Sequence, residues 1–174
     1  MNMLHSLPYP QIAGLAIFCI LMATAALQDI VQMKISDIIP VALIAMFAVT
    51  PLPEPVTWAG AGWRIAIALA IFFAFAGVNF FNLMAGGDVK LITAASLWFE
   101  PGYGTFTFVV LTTVCGGLLA LAHIALRALP LPVALHRLAW IGAIQAGQNV
   151  IPYGVGIAIG GVVAQFILLE QLGR

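Results

Sequence analysis

Long apolar stretches alternate with short polar segments along the chain, which is the pattern of a polytopic helical membrane protein. About 20 apolar residues are needed to cross the hydrocarbon core of a bilayer. Six stretches are predicted as transmembrane helices: residues 11–28, 38–50, 63–84, 89–99, 105–126 and 153–169. Residues 127–152 are more polar and contain prolines, and an interfacial helix is predicted around residues 135–144. The sequence therefore predicts an all-α fold in which residues 1–174 form a single polytopic domain.

Two of the predicted spans are too short to cross a bilayer comfortably. Residues 89–99 would form about 16 Å of helix and residues 38–50 about 20 Å. Each short span follows an acid-bearing turn, residues 29–37 in one case and 86–90 in the other. We expect these turns to dip below the membrane surface, where protein or a water-filled cavity must surround irregular backbone, or the bilayer to thin there. Asp29 and Asp88 are therefore predicted to share a shallow cavity.

The composition supports a membrane location. The chain is 63% hydrophobic and 7% charged, whereas about 25% of residues are charged in soluble domains. Its formal net charge is zero and it contains no cluster of Lys and Arg, so a nucleic-acid partner is not expected. Residues 1–28 contain no Lys or Arg, so no cleavable signal peptide is expected and the first stretch is predicted to be a retained helix.

The distribution of basic residues predicts the orientation, because cytoplasmic loops carry an excess of Lys and Arg. Six spans place four basic residues on one side: Lys34, Lys90, Arg127 and Arg137. The other side carries two basic and three acidic residues: Arg64, Arg174, Glu54, Glu100 and Glu170. The first side is therefore predicted to be cytoplasmic, with the acid pair near it and both termini outside.

The two aspartates are candidates for chemistry because a charged side chain inside a membrane costs at least about 2.5 kcal/mol. Two neighbouring carboxylates share a proton, so that one can act as a base while the other donates a proton. Such a pair hydrolyses a peptide bond without a serine, a cysteine or a metal. Gly86 and Gly87 are expected to permit a tight turn and a close approach of substrate to Asp88. Lys90 is expected to bias the field of the site or to extend to the interface.

Simpler roles are open for the same polar residues. Asp29 or Asp88 alone could be a helix cap or an interfacial charge. Asp37 is predicted to cap the second helix, residues 38–50, where an acid favours the helix dipole. Asn79 and Asn82 could line the cavity, although hydrogen bonding between helices is the preferred interpretation.

No metal or cofactor is predicted. Cys19 and Cys115 lie inside apolar stretches and do not form a CxxC pair. His123 and His136 have no acid or cysteine at the spacing of metal ligands. Packing between helices is the simpler role for all four residues.

Three segments resemble a known family. Residues 84–92 (MAGGDVKLI) resemble the signature of the type IV prepilin peptidases, which are membrane aspartic proteases of the GxGD group. Residues 28–30 (QDI), followed by 34–37 (KISD), resemble the other aspartate motif of that family. Residues 151–154 (IPYG) resemble a Pro-Tyr-Gly segment of its short subfamily, which serves Flp/Tad-type pili.

The resemblance has two departures. Ala85 stands at the first glycine of GxGD, a change that a small residue is expected to tolerate. Ser36 replaces the usual proline of the first motif, which is expected to loosen that turn. The paired CxxC motifs of the longer, methyltransferase-containing members are missing from this sequence, so N-methylation of the product is not expected.

The resemblance implies an aspartic endopeptidase with Asp29 and Asp88 as the catalytic pair and no cofactor. It also implies four residues that shape the site or the approach of substrate: Gly86, Gly87, Lys90 and Lys34. The implied substrates are prepilins and pilin-like proteins, whose short basic leader would be removed at the cytoplasmic face of the bacterial inner membrane to support pilus assembly.

Other interpretations account for less of the sequence. A proton- or cation-coupled transporter could use the same aspartates, although both acids fall on one predicted side and no acid continues a path outward. A structural subunit of a secretion machine would leave the glycine-aspartate segment unexplained. Presenilin-like proteases share the chemistry, but this sequence has too few spans for them and no Pro-Ala-Leu segment.

Overall fold

The structure, a computed structural model, describes residues 9–50, 57–127, 129, 139–147 and 151–172. These residues form helices joined by turns and include no strand: α1 (Tyr9–Gln32), α2 (Ile38–Val49), α3 (Trp58–Phe80), α4 (Gly86–Ser96), α5 (Tyr103–Arg127), α6 (Ala139–Gln145) and α7 (Tyr153–Leu172). Within this part of the chain, α1, α3, α5 and α7 are long and apolar enough to cross a membrane. The prediction of an all-α, multi-pass membrane protein is confirmed at this level.

The four long predicted spans all correspond to helices, but their boundaries differ from the prediction, most clearly in α1 and α3. Helix α1 continues past residue 28 to Gln32, so it includes Asp29. Helix α3 begins at Trp58, ends at Phe80 and is followed by a turn in which Asn82 has a φ of 57°. A left-handed residue cannot continue a right-handed helix, so the predicted extension of this span to residue 84 is wrong.

The two short predicted spans are also helices, of 12 residues in α2 and 11 in α4. Helix α4 begins at Gly86 rather than at Val89, and it is the interior helix of the bundle, in contact with α2, α3 and α7. Nearly all of its side chains from Asp88 onward are buried, with Lys90 the clearest exception. Because protein surrounds α4, its length of about 16 Å does not need to match the bilayer.

Buried aromatic rings and polar side chains fix the far end of α4. The Phe18 ring of α1 lies 5.3 Å from the Trp98 ring and 6.0 Å from the Phe99 ring, measured between centroids. The Trp98 indole N–H donates to the carbonyl of Leu43 in α2 at 3.1 Å. At the carboxyl end of α4, the buried Arg64 donates to the carbonyl of Leu97 at 3.2 Å, where a cation also favours the helix dipole.

Glycines allow α7 to pack closely against α5. A methyl group on Gly156 would lie 2.9 Å from the backbone nitrogen of Gly116, and one on Gly160 would lie 2.6 Å from the backbone of Thr112. This Gly-x-x-x-Gly spacing is typical of helices that pack backbone to backbone in membranes. Helix α7 also packs against α1. The start of α7 is thereby held beside the end of α1.

Some predictions concern residues outside the described part of the chain. These are the residues of the interfacial helix that precede α6, and four of the residues discussed above: Glu54, His136, Arg137 and Arg174. Helix α6 itself overlaps the predicted interfacial helix and packs against α1 and α5.

Candidate active site

Asp29 lies in the last turn of α1 and is 5% exposed. Its Oδ2 accepts a hydrogen bond of 2.8 Å from the backbone N–H of Gly154, in the first turn of α7. The expectation that Asp29 belongs to an irregular turn is wrong, because α1 continues for a further turn of helix before Met33 ends it with a φ of 53°. A buried carboxylate on a packed helix is held in place more firmly than one on a loop.

Asp88 lies in the first turn of α4 and is 2% exposed. Its carboxylate interacts with the backbone N–H groups of Ala85 and Gly154, and electrostatically with Asp29. An acid at this position is favoured by the helix dipole, and its contact with Ala85 resembles half of a capping box. A capping role alone does not require burial or a second carboxylate nearby. The structure thus buries Asp29 and Asp88 close enough for their charges to interact, and their action as a pair stays a prediction.

The glycine pair is not a tight turn, which corrects the sequence-based expectation. Gly86 and Gly87 are the first two residues of α4, and neither has a positive φ. A methyl group on Gly87 would lie 3.4 Å from Cβ of Ile35, so this glycine accommodates the turn between α1 and α2. A methyl group on Gly86 would meet no atom of the described residues within 4 Å. The open surface at Gly86 lies one turn or less from Asp88.

Both departures from the family motifs have a structural explanation. Ala85 precedes α4 with φ −73° and ψ 148°, a conformation open to any residue, so a glycine is not needed there. The backbone N–H of Ser36 donates to Oε1 of Gln28 at 2.9 Å, a bond that a proline could not make. The expected loosening of this turn is therefore offset by a hydrogen bond to α1.

Lys90 and Asp37 form an ion pair between the two acid-bearing hairpins. Lys90 Nζ lies 2.7 Å from Asp37 Oδ1, and the two side chains are 52% and 70% exposed. Asp37 does occupy the N-cap position of α2, as predicted, but its side chain makes no capping bond within the described part of that hairpin. Lys34 is exposed in the same region and forms no hydrogen bond or ion pair with the described residues.

Asn79 and Asn82 act on the turn before α4 rather than on a cavity. The side chain of Asn79 donates to the carbonyl of Met84 at 2.7 Å, and Asn82 supplies the left-handed residue that ends α3. Asn79 therefore does not form the predicted hydrogen bond between two long helices. Its bond to Met84 instead fixes the turn that leads into α4 and Asp88. Within the described residues, no three His, Cys, Asp or Glu side chains form a group that could hold a metal.

Two residues of the site were not singled out from the sequence. Ile35 lies between Gly87 of α4 and Gly154 of α7, and its side chain would contact a methyl group on either one. Gly154 was noticed only as part of a short motif, although its amide joins α7 to Asp29. The available signal was the Pro-Tyr-Gly sequence itself, which does not reveal a contact with a residue 125 positions away.

These features define a multi-pass helical membrane protein that buries two interacting aspartates at one end of its bundle. A family model described as the type IV leader peptidase family matches residues 16–121, which include both aspartates. The chain belongs to this family and is therefore a protease of the type IV leader peptidase kind. Comparisons with curated proteins and with solved structures found no match.

Proposed function

We propose that this protein is an aspartic endopeptidase that removes the short basic leader of prepilins and pilin-like proteins, with Asp29 and Asp88 as the catalytic pair. The observation that carries the proposal is the burial of two interacting carboxylates, contributed by separate helices, in a member of the leader peptidase family. Burying two acids whose charges interact is costly, and a shared proton would make the arrangement useful for hydrolysis.

The proposed reaction needs only the two carboxyl groups and a water molecule. The ionised aspartate takes a proton from the water, whose oxygen attacks the carbonyl carbon of the scissile peptide. The protonated aspartate gives its proton to the carbonyl oxygen, which forms a tetrahedral diol. Collapse of the diol breaks the C–N bond: the departing nitrogen receives a proton from the protonated aspartate, and a hydroxyl of the diol gives its proton to the ionised aspartate as the new carboxyl group forms, so the pair again holds one proton.

The proposed site of action is the cytoplasmic face of the bacterial inner membrane. The acids lie at the end of the bundle where α1 and α3 finish and α4 and α7 begin. Lys34 and Lys90 lie at this same end, as the positive-inside rule requires of a cytoplasmic surface. Gly86 offers an unobstructed approach to Asp88 for an extended substrate, as far as the described residues extend. Gly87, Lys34 and Lys90 would shape this approach rather than react.

Co-expression with a candidate prepilin tests the proposal. Wild-type protein is expected to convert the prepilin to a shorter form on an immunoblot, whereas Asp29→Asn and Asp88→Asn are expected to leave it uncut. Each amide is nearly isosteric with the acid, so both variants are expected to fold, which melting curves check. Processing by either variant at the wild-type level would contradict the catalytic pair. Ion transport by the purified protein in liposomes, with no cleavage of any prepilin, would instead identify a transporter.

A further inference from the structure

The backbone N–H of Gly154 interacts with both acids but lies outside the segment that the family match covers. It donates to Asp29 at 2.8 Å and also interacts with Asp88. Gly154 is in the first turn of α7, where backbone N–H groups have no partner within their own helix. The next amide, of Val155, donates to the carbonyl of Pro152 at 3.1 Å and also interacts with the carboxylate of Asp29. Of these two amides, that of Gly154 interacts with both carboxylates.

No larger residue fits at this position without moving the acid. A methyl group on Gly154 would lie 2.8 Å from Oδ2 of Asp29, 3.2 Å from its Cβ and 2.7 Å from Cδ1 of Ile35. Contacts below 3.0 Å require an atom to shift. The backbone of α7 cannot retreat easily, because Gly156 and Gly160 are packed directly against the backbone of α5. The carboxylate of Asp29 and the side chain of Ile35 are therefore the groups that would have to move.

We infer that Gly154 is a positioning residue for the acid pair: its amide fixes the rotamer of Asp29, and the missing side chain leaves room for the carboxylate to face Asp88. The inference rests on the proposed peptidase function. It assigns to α7 a part in the site that would otherwise be built from α1 and α4 alone. A displacement of about 1 Å in a catalytic group can lower a rate by about 100-fold.

The test is Gly154→Ala, measured as kcat and KM for prepilin cleavage by the purified full-length protein. We expect kcat to fall by about 100-fold while KM changes little, because the reacting groups are misaligned and the path of the substrate is unchanged. Gly117→Ala is the matched control, since a methyl group on that exposed glycine of α5 meets no described atom within 4 Å. The control is expected to keep the wild-type kcat.

A second variant separates misalignment from simple crowding. Ile35→Val removes Cδ1, which is the closest packing contact of the new methyl group, but leaves the contact with Asp29 Oδ2. In the Ile35→Val background, Gly154→Ala is therefore expected to cost little thermal stability but still to lower kcat. Recovery of kcat along with stability would overturn the positioning role, as would a wild-type kcat in Gly154→Ala.

The outcome distinguishes this inference from the proposed function. If the wild-type protein cleaves the prepilin and Gly154→Ala cleaves it equally well, the positioning role is wrong and the peptidase proposal stands. If the wild-type protein does not cleave any prepilin while Asp29 and Asp88 are intact, the peptidase proposal itself fails.

Discussion

The ion pair between Lys90 and Asp37 gives a prediction that distinguishes Asp37 from the two aspartates proposed to be catalytic. Asp37→Asn removes one charge from a contact of 2.7 Å whose partners are 52% and 70% exposed. Exposed ion pairs contribute about 0.2–1 kcal/mol. An effect of about 1 kcal/mol corresponds to about a fivefold change in a rate or an equilibrium. We therefore expect Asp37→Asn to retain prepilin cleavage to within about fivefold of wild type.

The exposure of the ion pair also predicts the size of the coupling between Asp37 and Lys90 and its dependence on salt. A double-mutant cycle with Asp37→Asn and Lys90→Gln should give a coupling of less than about 1 kcal/mol, both in kcat/KM and in thermal stability. The coupling should shrink between low salt and about 0.5 M salt, because exposed charges are screened. Cleavage rates and melting curves in detergent measure both quantities. A loss with Asp37→Asn as large as that with Asp88→Asn would refute this reasoning and place the first catalytic acid at position 37.

Three further predictions follow from local contacts. Gly86→Ala should not destabilise the protein, because its new methyl group meets no described atom, but it should lower kcat/KM if substrate passes there. The control Gly77→Ala, equally unobstructed in α3, should leave cleavage unchanged. Equal activity in both variants would contradict the proposed approach of substrate. Trp98→Phe should lower stability by about 2 kcal/mol through the lost bond to Leu43 and the smaller ring, and an unchanged melting temperature would contradict this anchor. His123→Leu should raise the melting temperature. Both ring nitrogens of this buried histidine lack a partner among the described residues, and a buried unsatisfied group costs about 1–3 kcal/mol. A lower melting temperature would contradict this explanation.

The sequence was sufficient to predict the helical elements and to single out the two aspartates that the fold buries. Apolar length identifies α1, α3, α5 and α7, since each is a continuous hydrophobic stretch bounded by polar or turn residues. The scarcity of carboxylates singled out Asp29 and Asp88. The sequence also predicted that α2 and α4 are short, but it did not explain why a short α4 is stable in the bundle. Burial of α4 among three other helices depends on packing that a hydropathy pattern does not describe.

The details of the site depended on contacts between distant segments. The hydropathy pattern predicted that the two acids lie in turns, because polarity rises at Asp29 and at Gly86. In the structure, α1 includes Asp29, and α4 begins at Gly86 and includes Asp88. The contacts of Ile35 with Gly87 and Gly154 join three elements that are far apart in sequence. No local propensity indicates which backbone amide will meet Asp29. Gly86 and Gly87 begin α4 instead of forming the predicted tight turn, and Gly87 packs against Ile35, while the approach of substrate at Gly86 stays a prediction.

The most direct test of the central claim is prepilin cleavage by the purified protein in liposomes, followed by mass spectrometry of the products. The wild-type protein and Asp37→Asn are expected to release the leader peptide by a cut at one position. Asp29→Asn and Asp88→Asn, folded to the same extent by their melting curves, are expected to release none. Release of the same leader peptide by either of these two variants at a rate near that of wild type would contradict the assignment of Asp29 and Asp88 as the catalytic pair.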